Sequence, residues 1–217
     1  VALIFRQLFS KTKARVYLDI AISIAHQAVA STYCPGMIET LTTLTRLHDL
    51  RYYYFDKKGD LVKAMSTCRR ALDLISEDHP NHNFLTSHLG ATYCKWYSKT
   101  SMRSDLEKGV ALTKKAFDRV FSSAEAQIEQ SDYQLQLNYG DALLCHYTVT
   151  RDIETFQTAV SLLIHLDGIP GGDPSSERIR RRLLFYLKGR LEEFKATGDP
   201  TILDDAIGLL RLSVSSL

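Results

Sequence analysis

The chain of 217 residues is long enough to form one continuous body with a large buried core. Its hydrophobic content of 45% and charged content of 24% are those of an ordinary soluble protein. The formal net charge of +2 favours neither nucleic acid nor an anionic membrane as a partner. No apolar run approaches the roughly 20 residues needed to cross a bilayer.

The predicted elements begin with a helix. The segment VALIFRQLF (1–9) is apolar from its first residue, which is Val, and shows no signal-peptide cleavage pattern. We therefore expect the chain to be a piece of a longer one. Its four cysteines lie far apart with no C-x-x-C pair, which predicts free thiols in a reducing compartment and a cytoplasmic protein. They are Cys34, Cys68, Cys94 and Cys145.

A short pattern then recurs five times along the chain: a large apolar residue, two spacers, a small residue and a branched or flexible apolar one. Around each copy the apolar residues return with the period of one helix face, which predicts a "B" helix. The small residues lie 43, 45, 50 and 47 positions apart, a spacing typical of a helical repeat array. They are Ala21, Ala64, Gly109, Ala159 and Ala206.

An "A" helix is predicted before each B helix, at Met37–Phe55, 82–98, 127–148 and 176–195, with a truncated one at the start. Polar turns follow at 56–60, 100–105, 148–152 and 196–200. There Asp60, Asp105 and Asp152 are expected to cap the B helices, and Pro200 to take the first helical position. Segments that contain Pro or Gly, at 77–83 and 166–176, separate the repeats.

The sequence thus predicts an all-α protein, a solenoid of about five antiparallel helix pairs that form one segment over 1–217. The repeats are expected at about 1–34, 35–80, 81–124, 125–172 and 173–217. Further repeats are expected beyond both ends. For that reason we expect this chain alone to self-associate through its apolar ends at 1–9 and 209–217.

Leu89, Gly90 and Tyr93 reproduce the L-G-x-x-Y element of the tetratricopeptide repeat (TPR), and Gly109 and Ala116 take the positions of its B-helix small residues. The array therefore resembles a degenerate TPR-like α-α superhelix. It departs from the family in its period, which is 43 to 50 residues instead of 34. Its leading Trp position holds Thr86, and its closing proline, Pro80, comes late.

A closer resemblance is to the repeat arrays of fungal proteins that end in a caspase-like CHAT domain. The residues that carry it are DHP at 78–80, LTSHLG at 85–90, KGDLVKAM at 58–65 and RRAL at 69–72. The resemblance implies a scaffold or sensor that positions a cysteine-peptidase-like domain. None of that family's catalytic residues falls within this segment.

Several residues of catalytic or ligating type are better explained by packing. His79 and His82 lack the second close pair of ligands that a structural zinc site uses, so no metal is predicted. Cys145 and His146 point ~100° apart on a helix and cannot form a catalytic dyad with each other. We expect no catalytic residue, no cofactor and no enzymatic activity in this segment.

Two further groups are open to more than one interpretation. Tyr52, Tyr97, Tyr147 and Phe194 recur at one position and are predicted to form a core column, which leaves Tyr53 or Phe55 available to a ligand. Three arginines on one predicted helix face would suit an acidic peptide or a phosphate, although solvated charge is the commoner reason for such a run. They are Arg178, Arg181 and Arg182.

We predict a protein-protein interaction scaffold that binds a protein or peptide, or positions an attached C-terminal domain. In the TPR family the A helices line the concave surface, and mixed charge there suits a peptide better than nucleic acid. The predicted binding stripe comprises Glu39, Arg46, Phe84, Ser87, Lys95, Gln134, Asp141, Arg181 and Lys188.

Substitution of Lys95, Asp141 and Lys188 together is expected to weaken binding to the partner. The alternative function is the regulatory arm of a CHAT-type cysteine peptidase whose catalytic domain lies outside this segment. A closed helical bundle that binds a small ligand is a third possibility.

Overall fold

The computed structural model describes residues 2–31, 36–121, 130–167, 187–202, 204 and 207. Helices account for all the regular structure in these residues, which contain no strand, so the predicted all-α class is confirmed. By its internal contacts the chain divides into two compact units, Val1–Ala142 and Leu143–Leu217. We call these the N-terminal unit and the C-terminal unit.

The helices pack in neighbouring pairs along the chain. The A helices are α1 (Ala2–Thr12), α3 (Met37–Phe55), α5 (His82–Thr100) and α7 (Gln130–Thr150). The B helices are α2 (Arg15–Ala30), α4 (Lys58–Asp73), α6 (Arg103–Phe121) and α8 (Ile153–Asp167). Further helical residues occur at 187–197 and from Pro200. We number the five A–B pairs as repeats 1 to 5 in chain order.

One two-residue turn joins A to B in all five repeats. Its first residue has a left-handed backbone and donates its N–H to the carbonyl oxygen of an aromatic residue four positions earlier, at 2.7–2.9 Å. The left-handed residues are Lys13, Asp56, Ser101, Arg151 and Gly198, with φ between 49° and 70°. They lie 43, 45, 50 and 47 positions apart. The predicted period is therefore confirmed in the backbone.

Threonine stabilises four of these five turns. In each case the threonine that precedes the left-handed residue donates its hydroxyl to the carbonyl oxygen four positions earlier. The same hydroxyl oxygen accepts the N–H two positions later, at 3.2–3.4 Å. Repeat 2 has Phe55 at this position. The threonines are Thr12, Thr100, Thr150 and Thr197.

The predicted helix caps are confirmed only in the C-terminal unit. Asp152 accepts the Thr155 N–H at 3.1 Å and caps α8, and Pro200 begins the last helical stretch. The caps at Asp60 and Asp105 were predicted wrongly, since α4 and α6 each begin two residues before these aspartates. The turn occupies only two residues, so both aspartates lie inside the first helical turn.

The aromatic residues that precede the turns form only part of the predicted core column. Tyr147 is fully buried, whereas Tyr52, Tyr97 and Phe194 are half-buried. Phe9, which was not predicted, is the first member of this series and is fully buried in repeat 1. Beside the column, Tyr53 is exposed and Phe55 is half-buried.

The two glycines of repeat 3 let α5 and α6 approach closely. A Cβ atom at Gly90 would lie 2.7 Å from the carbonyl oxygen of Gly109, and one at Gly109 would lie 2.5 Å from the Cys94 sulfur. Both distances are too short for non-bonded atoms. The L-G-x-x-Y glycine is therefore required by the contact between these helices.

We expect Gly90→Ala to lower the free energy of unfolding by about 1–3 kcal/mol, because the new methyl group would force α5 and α6 apart. Urea unfolding followed by circular dichroism measures the change. Gly59→Ala is the matched control, since nothing lies within 4 Å of its Cβ position. A Gly90→Ala protein as stable as the Gly59→Ala protein would contradict the close approach.

Ser101→Gly should raise the free energy of unfolding by about 0.5–1 kcal/mol, because glycine adopts the left-handed conformation without the strain that a Cβ atom introduces. The φ of Ser101 is 57°. Ser104→Gly, three residues later on the exposed side of α6, should instead lower stability by up to about 1 kcal/mol. Thermal unfolding of both variants checks the opposite signs.

Candidate functional site

A cation and an aromatic ring meet on the A helices of the N-terminal unit. The guanidinium carbon of Arg46, on α3, lies 4.1 Å from the ring centroid of Phe84, on α5. Phe84 in turn stacks on His88 with 5.6 Å between ring centroids. Arg46 is exposed and Phe84 is half-buried. The two predicted stripe residues are therefore brought together, with the planar guanidinium lying over the ring.

The positive charge of Arg6, on α1, acts on Arg46. Burial of the Arg46 guanidinium lowers the pKa of Arg46, and repulsion from the charge of Arg6 lowers that pKa further. Arg46 as a whole residue is nevertheless exposed. Within the described residues, no carboxylate forms an ion pair with Arg6 or Arg46. Two guanidiniums without a counter-ion favour an incoming carboxylate or phosphate.

Lys95 holds two A helices together. Its ammonium nitrogen lies 2.5 Å from a carboxylate oxygen of Asp49, which joins α5 to α3. One turn later, Lys99 makes the equivalent contact with Asp56 at 2.7 Å. A partner that bound Lys95 would first have to compete with Asp49.

Ser87 lies inside the protein, so its predicted place on an accessible stripe is wrong. It is fully buried and accepts a hydrogen bond from the Asn138 amide at 3.0 Å. Gln134 donates to the other end of the same amide at 2.8 Å. This short network connects α5 to α7, because a buried hydroxyl needs a partner from the neighbouring helix.

The other predicted stripe residues lie in different surroundings. Glu39 is exposed near the start of α3, and Asp141 is half-buried on α7. Lys188 is exposed in the C-terminal unit. The three arginines at 178, 181 and 182, which include the predicted stripe residue Arg181, lie outside the described residues.

The buried thiols are poor nucleophiles. Burial raises the pKa of Cys68 to about 12 and that of Cys145 to about 11. The Cys68 thiol donates to the Leu85 carbonyl oxygen at 3.1 Å. Cys68, Cys94 and Cys145 are all free, as predicted, and Cys34 lies outside the described residues. With so little thiolate at neutral pH, Cys68 and Cys145 are unsuited to covalent catalysis.

His79 lies between α4 and α5, and His82 is the first residue of α5. His79 accepts the backbone N–H of Asn81 at its Nδ1, at 3.1 Å. Over the part of the chain that the structure describes, no group of three or more His, Cys, Asp or Glu side chains could hold a metal ion.

A buried ionic cluster joins α2, α3 and α4. Arg51 donates to both carboxylate oxygens of Asp60 at 2.5–2.9 Å, and also to Asp19 at 2.9 Å. Asp60 is only 2% exposed. Its carboxylate is thus engaged by Arg51, which explains why it does not cap α4.

His48 adjoins this cluster and is completely buried. Its Nδ1 lies 3.5 Å from an Asp60 oxygen, and its ring centroid lies 5.4 Å from that of His26. Burial, followed by repulsion from Arg51, lowers the pKa of His48 to about 4. The imidazole has no access to solvent, so the cluster serves packing between repeats 1 and 2 rather than acid–base chemistry.

The chain should lose stability as the pH falls from about 6.5 to about 4, because the unfolded chain protonates His48 in this range while the folded chain keeps it neutral. His48 alone should account for about 3 kcal/mol of that loss. His48→Phe, which places in α3 the residue that α1 has at the equivalent Phe5, should remove this share. Urea unfolding at several pH values measures it, and an unchanged pH dependence in His48→Phe would contradict it.

No described helix combines the length and apolar character needed to cross a bilayer. Comparisons with known proteins found no family model, no curated protein and no solved structure that matches the chain. The functional proposal therefore depends on the geometry of the A-helix surface.

Proposed function

We propose that the chain is a non-enzymatic interaction module, a TPR-like α-α superhelix whose A helices bind an acidic segment of a protein partner. The observation that carries this proposal is the stacking of Arg46 on Phe84, with the charge of Arg6 acting on Arg46 and no described carboxylate paired to either arginine. We call these three residues the basic–aromatic site.

The chemistry of the basic–aromatic site favours a carboxylate next to an apolar side chain. A guanidinium offers a planar fork of donors that matches a carboxylate, and the stacked ring restricts the orientation of that fork. Phe84 is half-buried, so part of its ring remains for an apolar neighbour of the acidic residue. The small net charge, and the presence of Glu39 and Asp49 on the same helix as Arg46, favour a peptide over the uniformly negative backbone of nucleic acid.

The order of the helices supports a scaffold role. The three residues come from α1, α3 and α5, the A helices of three successive repeats. In a helical repeat array, successive A helices present one continuous surface, and an extended ligand can cross several of them. Such a surface acts by binding and positioning, which needs no catalytic group.

The resemblance to CHAT-domain repeat arrays supplies the second candidate, a regulatory arm of a cysteine peptidase. In that case the acidic segment would belong to the peptidase domain of the same polypeptide. The basic–aromatic site serves both candidates equally, since only the covalent connection of the ligand differs. The cytoplasmic location stays a prediction from the free thiols.

Peptide selection tests the proposed function. Random peptides displayed on phage are selected on the wild-type chain and counter-selected on the Arg6→Glu/Arg46→Glu double variant. We expect the enriched peptides to carry Asp or Glu beside an apolar residue. Their affinity in fluorescence polarisation should fall at least about tenfold in the double variant, or about 1.4 kcal/mol. It should also weaken at high salt.

Arg70→Glu/Lys108→Glu is the matched control, because it makes the same change in net charge at exposed positions on the B helices α4 and α6. Its affinity for the selected peptides should stay near that of the wild type. Phe84→Ala should also weaken binding, since it removes the stacked ring. Enrichment without acidic residues, or equal losses in both double variants, would refute the proposal.

A further inference from the structure

One side of α3 carries a row of exposed side chains. The exposed residues of this helix are Glu39, Arg46, Tyr53 and Tyr54, and the first three lie seven positions apart. Seven residues make almost two full turns of an α-helix, so residues at this spacing lie on one line along its surface. Glu39, Arg46 and Tyr53 therefore follow the axis of α3 at intervals of about 10.5 Å. We call these three residues the α3 row.

The neighbouring A helix, α5, does not continue this row sideways. Counted from the left-handed turn, its equivalent residues are Phe84, Ala91 and Ser98. Phe84 is half-buried, Ala91 is buried, and only the small Ser98 is exposed. Beyond the stacked ring of Phe84, the large exposed groups near Arg46 therefore follow α3 instead of crossing to α5.

Tyr53 is the aromatic end of the α3 row, and its ring has a firm support. It is 55% exposed, and it meets the ring of Tyr54 edge to face with 5.1 Å between the centroids. Tyr54 also meets the ring of Phe9 edge to face, and its hydroxyl accepts a hydrogen bond from the Lys13 ammonium group at 2.9 Å. More than half of the Tyr53 surface thus remains for an apolar ring of a ligand.

Glu39 is the acidic end of the row. It lies in the first turn of α3, where the helix dipole favours a carboxylate. Among the described residues, no lysine or arginine forms an ion pair with it. The α3 row therefore presents a negative charge, a positive charge and an aromatic ring at equal intervals.

The interval of about 10.5 Å favours one conformation of an extended ligand. A polyproline II segment presents every third side chain on one side, about 9.3 Å apart. A β-strand presents its side chains on one side about 6.7 or 13 Å apart. An α-helical ligand could match the interval but docks through an apolar seam, and Tyr53 is the only apolar member of the row. Polyproline II therefore fits best.

We infer that the acidic segment bound at the basic–aromatic site lies along α3 in the polyproline II conformation. Its acidic residue meets Arg46, and an apolar ring three positions away packs on Tyr53. A basic residue three positions away on the other side meets Glu39. The inference rests on the proposed function and adds to it the order and spacing of the ligand's side chains. Tyr53 is then a specificity-determining residue.

Synthetic peptides of seven residues test this inference by fluorescence polarisation. One has Lys at its first position, Glu at its fourth and Phe at its seventh, with proline and alanine between them. A second has the reverse order, since either chain direction satisfies the row. We expect one of the two to bind at least about fivefold more tightly than the same peptide with its Phe moved one position closer to Glu.

Tyr53→Ala should remove this preference for spacing but keep the weaker binding of both peptides, because their Glu still meets Arg46. Leu74→Ala is the matched control, since Leu74 is 56% exposed, follows the B helix α4 and should affect neither peptide. Glu39→Gln should weaken the binding of a peptide with Lys but not that of the same peptide with alanine in its place. Circular dichroism checks that the variants fold.

Equal affinity of the wild type for the two spacings would overturn the inference, and so would a preference that persists in Tyr53→Ala. Tighter binding of a helix-forming peptide with Glu and Phe seven positions apart would overturn it too. In each case the proposed function stands if the Arg6→Glu/Arg46→Glu variant still loses affinity, and it fails if that variant does not. If none of the synthetic peptides binds, the inference falls, and the phage-selected peptides decide the proposed function separately.

Discussion

The two-residue left-handed turn is the constraint on which the rest of the structure depends. It ends each A helix at a fixed distance after an aromatic residue and starts the B helix two residues later. Because the geometry of the turn is the same in five places, the faces of A and B meet in the same register each time. The left-handed residue is glycine in only one of the five turns. In the other four, a residue with a side chain adopts this strained backbone conformation, and the hydrogen bond of the turn and the packing of the helices must outweigh the strain.

Given that register, neighbouring repeats are joined by side chains whose chemistry varies from one interface to the next. Repeats 1 and 2 meet through two histidine rings and a buried arginine with two aspartates. Repeats 2 and 3 use cation–ring contacts and a thiol at the corresponding face. His26 and His48 lie 43 and 45 positions before Arg69 and Tyr93, so this one pair of equivalent positions makes the same contact with unlike residues, while the other contacts differ between the two interfaces.

The proposed binding surface depends on what this packing leaves unpaired. Along α3 and α5, lysines and aspartates neutralise each other across neighbouring A helices. Among the described residues, no carboxylate pairs with Arg6 or Arg46, and the ring of Phe84 stacks on the Arg46 guanidinium. A surface that pairs these lysines with aspartates and leaves two arginines without a described carboxylate suits an acidic group rather than a long polyanion.

Much of the fold follows from local sequence signals. The bounds Met37–Phe55 and the start at His82 were predicted correctly, because apolar periodicity and turn residues act over a few positions. The period followed from the small residues, which must recur wherever two helices approach closely. The length of the turns was predicted less well, because a single sequence does not show which residues other than glycine adopt a left-handed backbone.

The helices that form the candidate site could be predicted from the sequence, but only some of its residues could. Arg46 and Phe84 were on the predicted stripe, while Arg6 was missed because its segment was interpreted only as an apolar helix. Ser87 was predicted to be accessible, yet it is buried against Asn138.

By itself, the sequence determined the class of fold and the repeat, since these depend on spacings within one helix or between copies of one pattern. The tertiary structure alone decided that Asp60 binds Arg51, that Lys95 binds Asp49, and that the charge of Arg6 acts on Arg46. Two of these three pairs join residues about 40 or more positions apart, and in all three the partner is set by how helices pack. The position of a charged residue in the sequence does not show which other charged residue the fold will bring close to it.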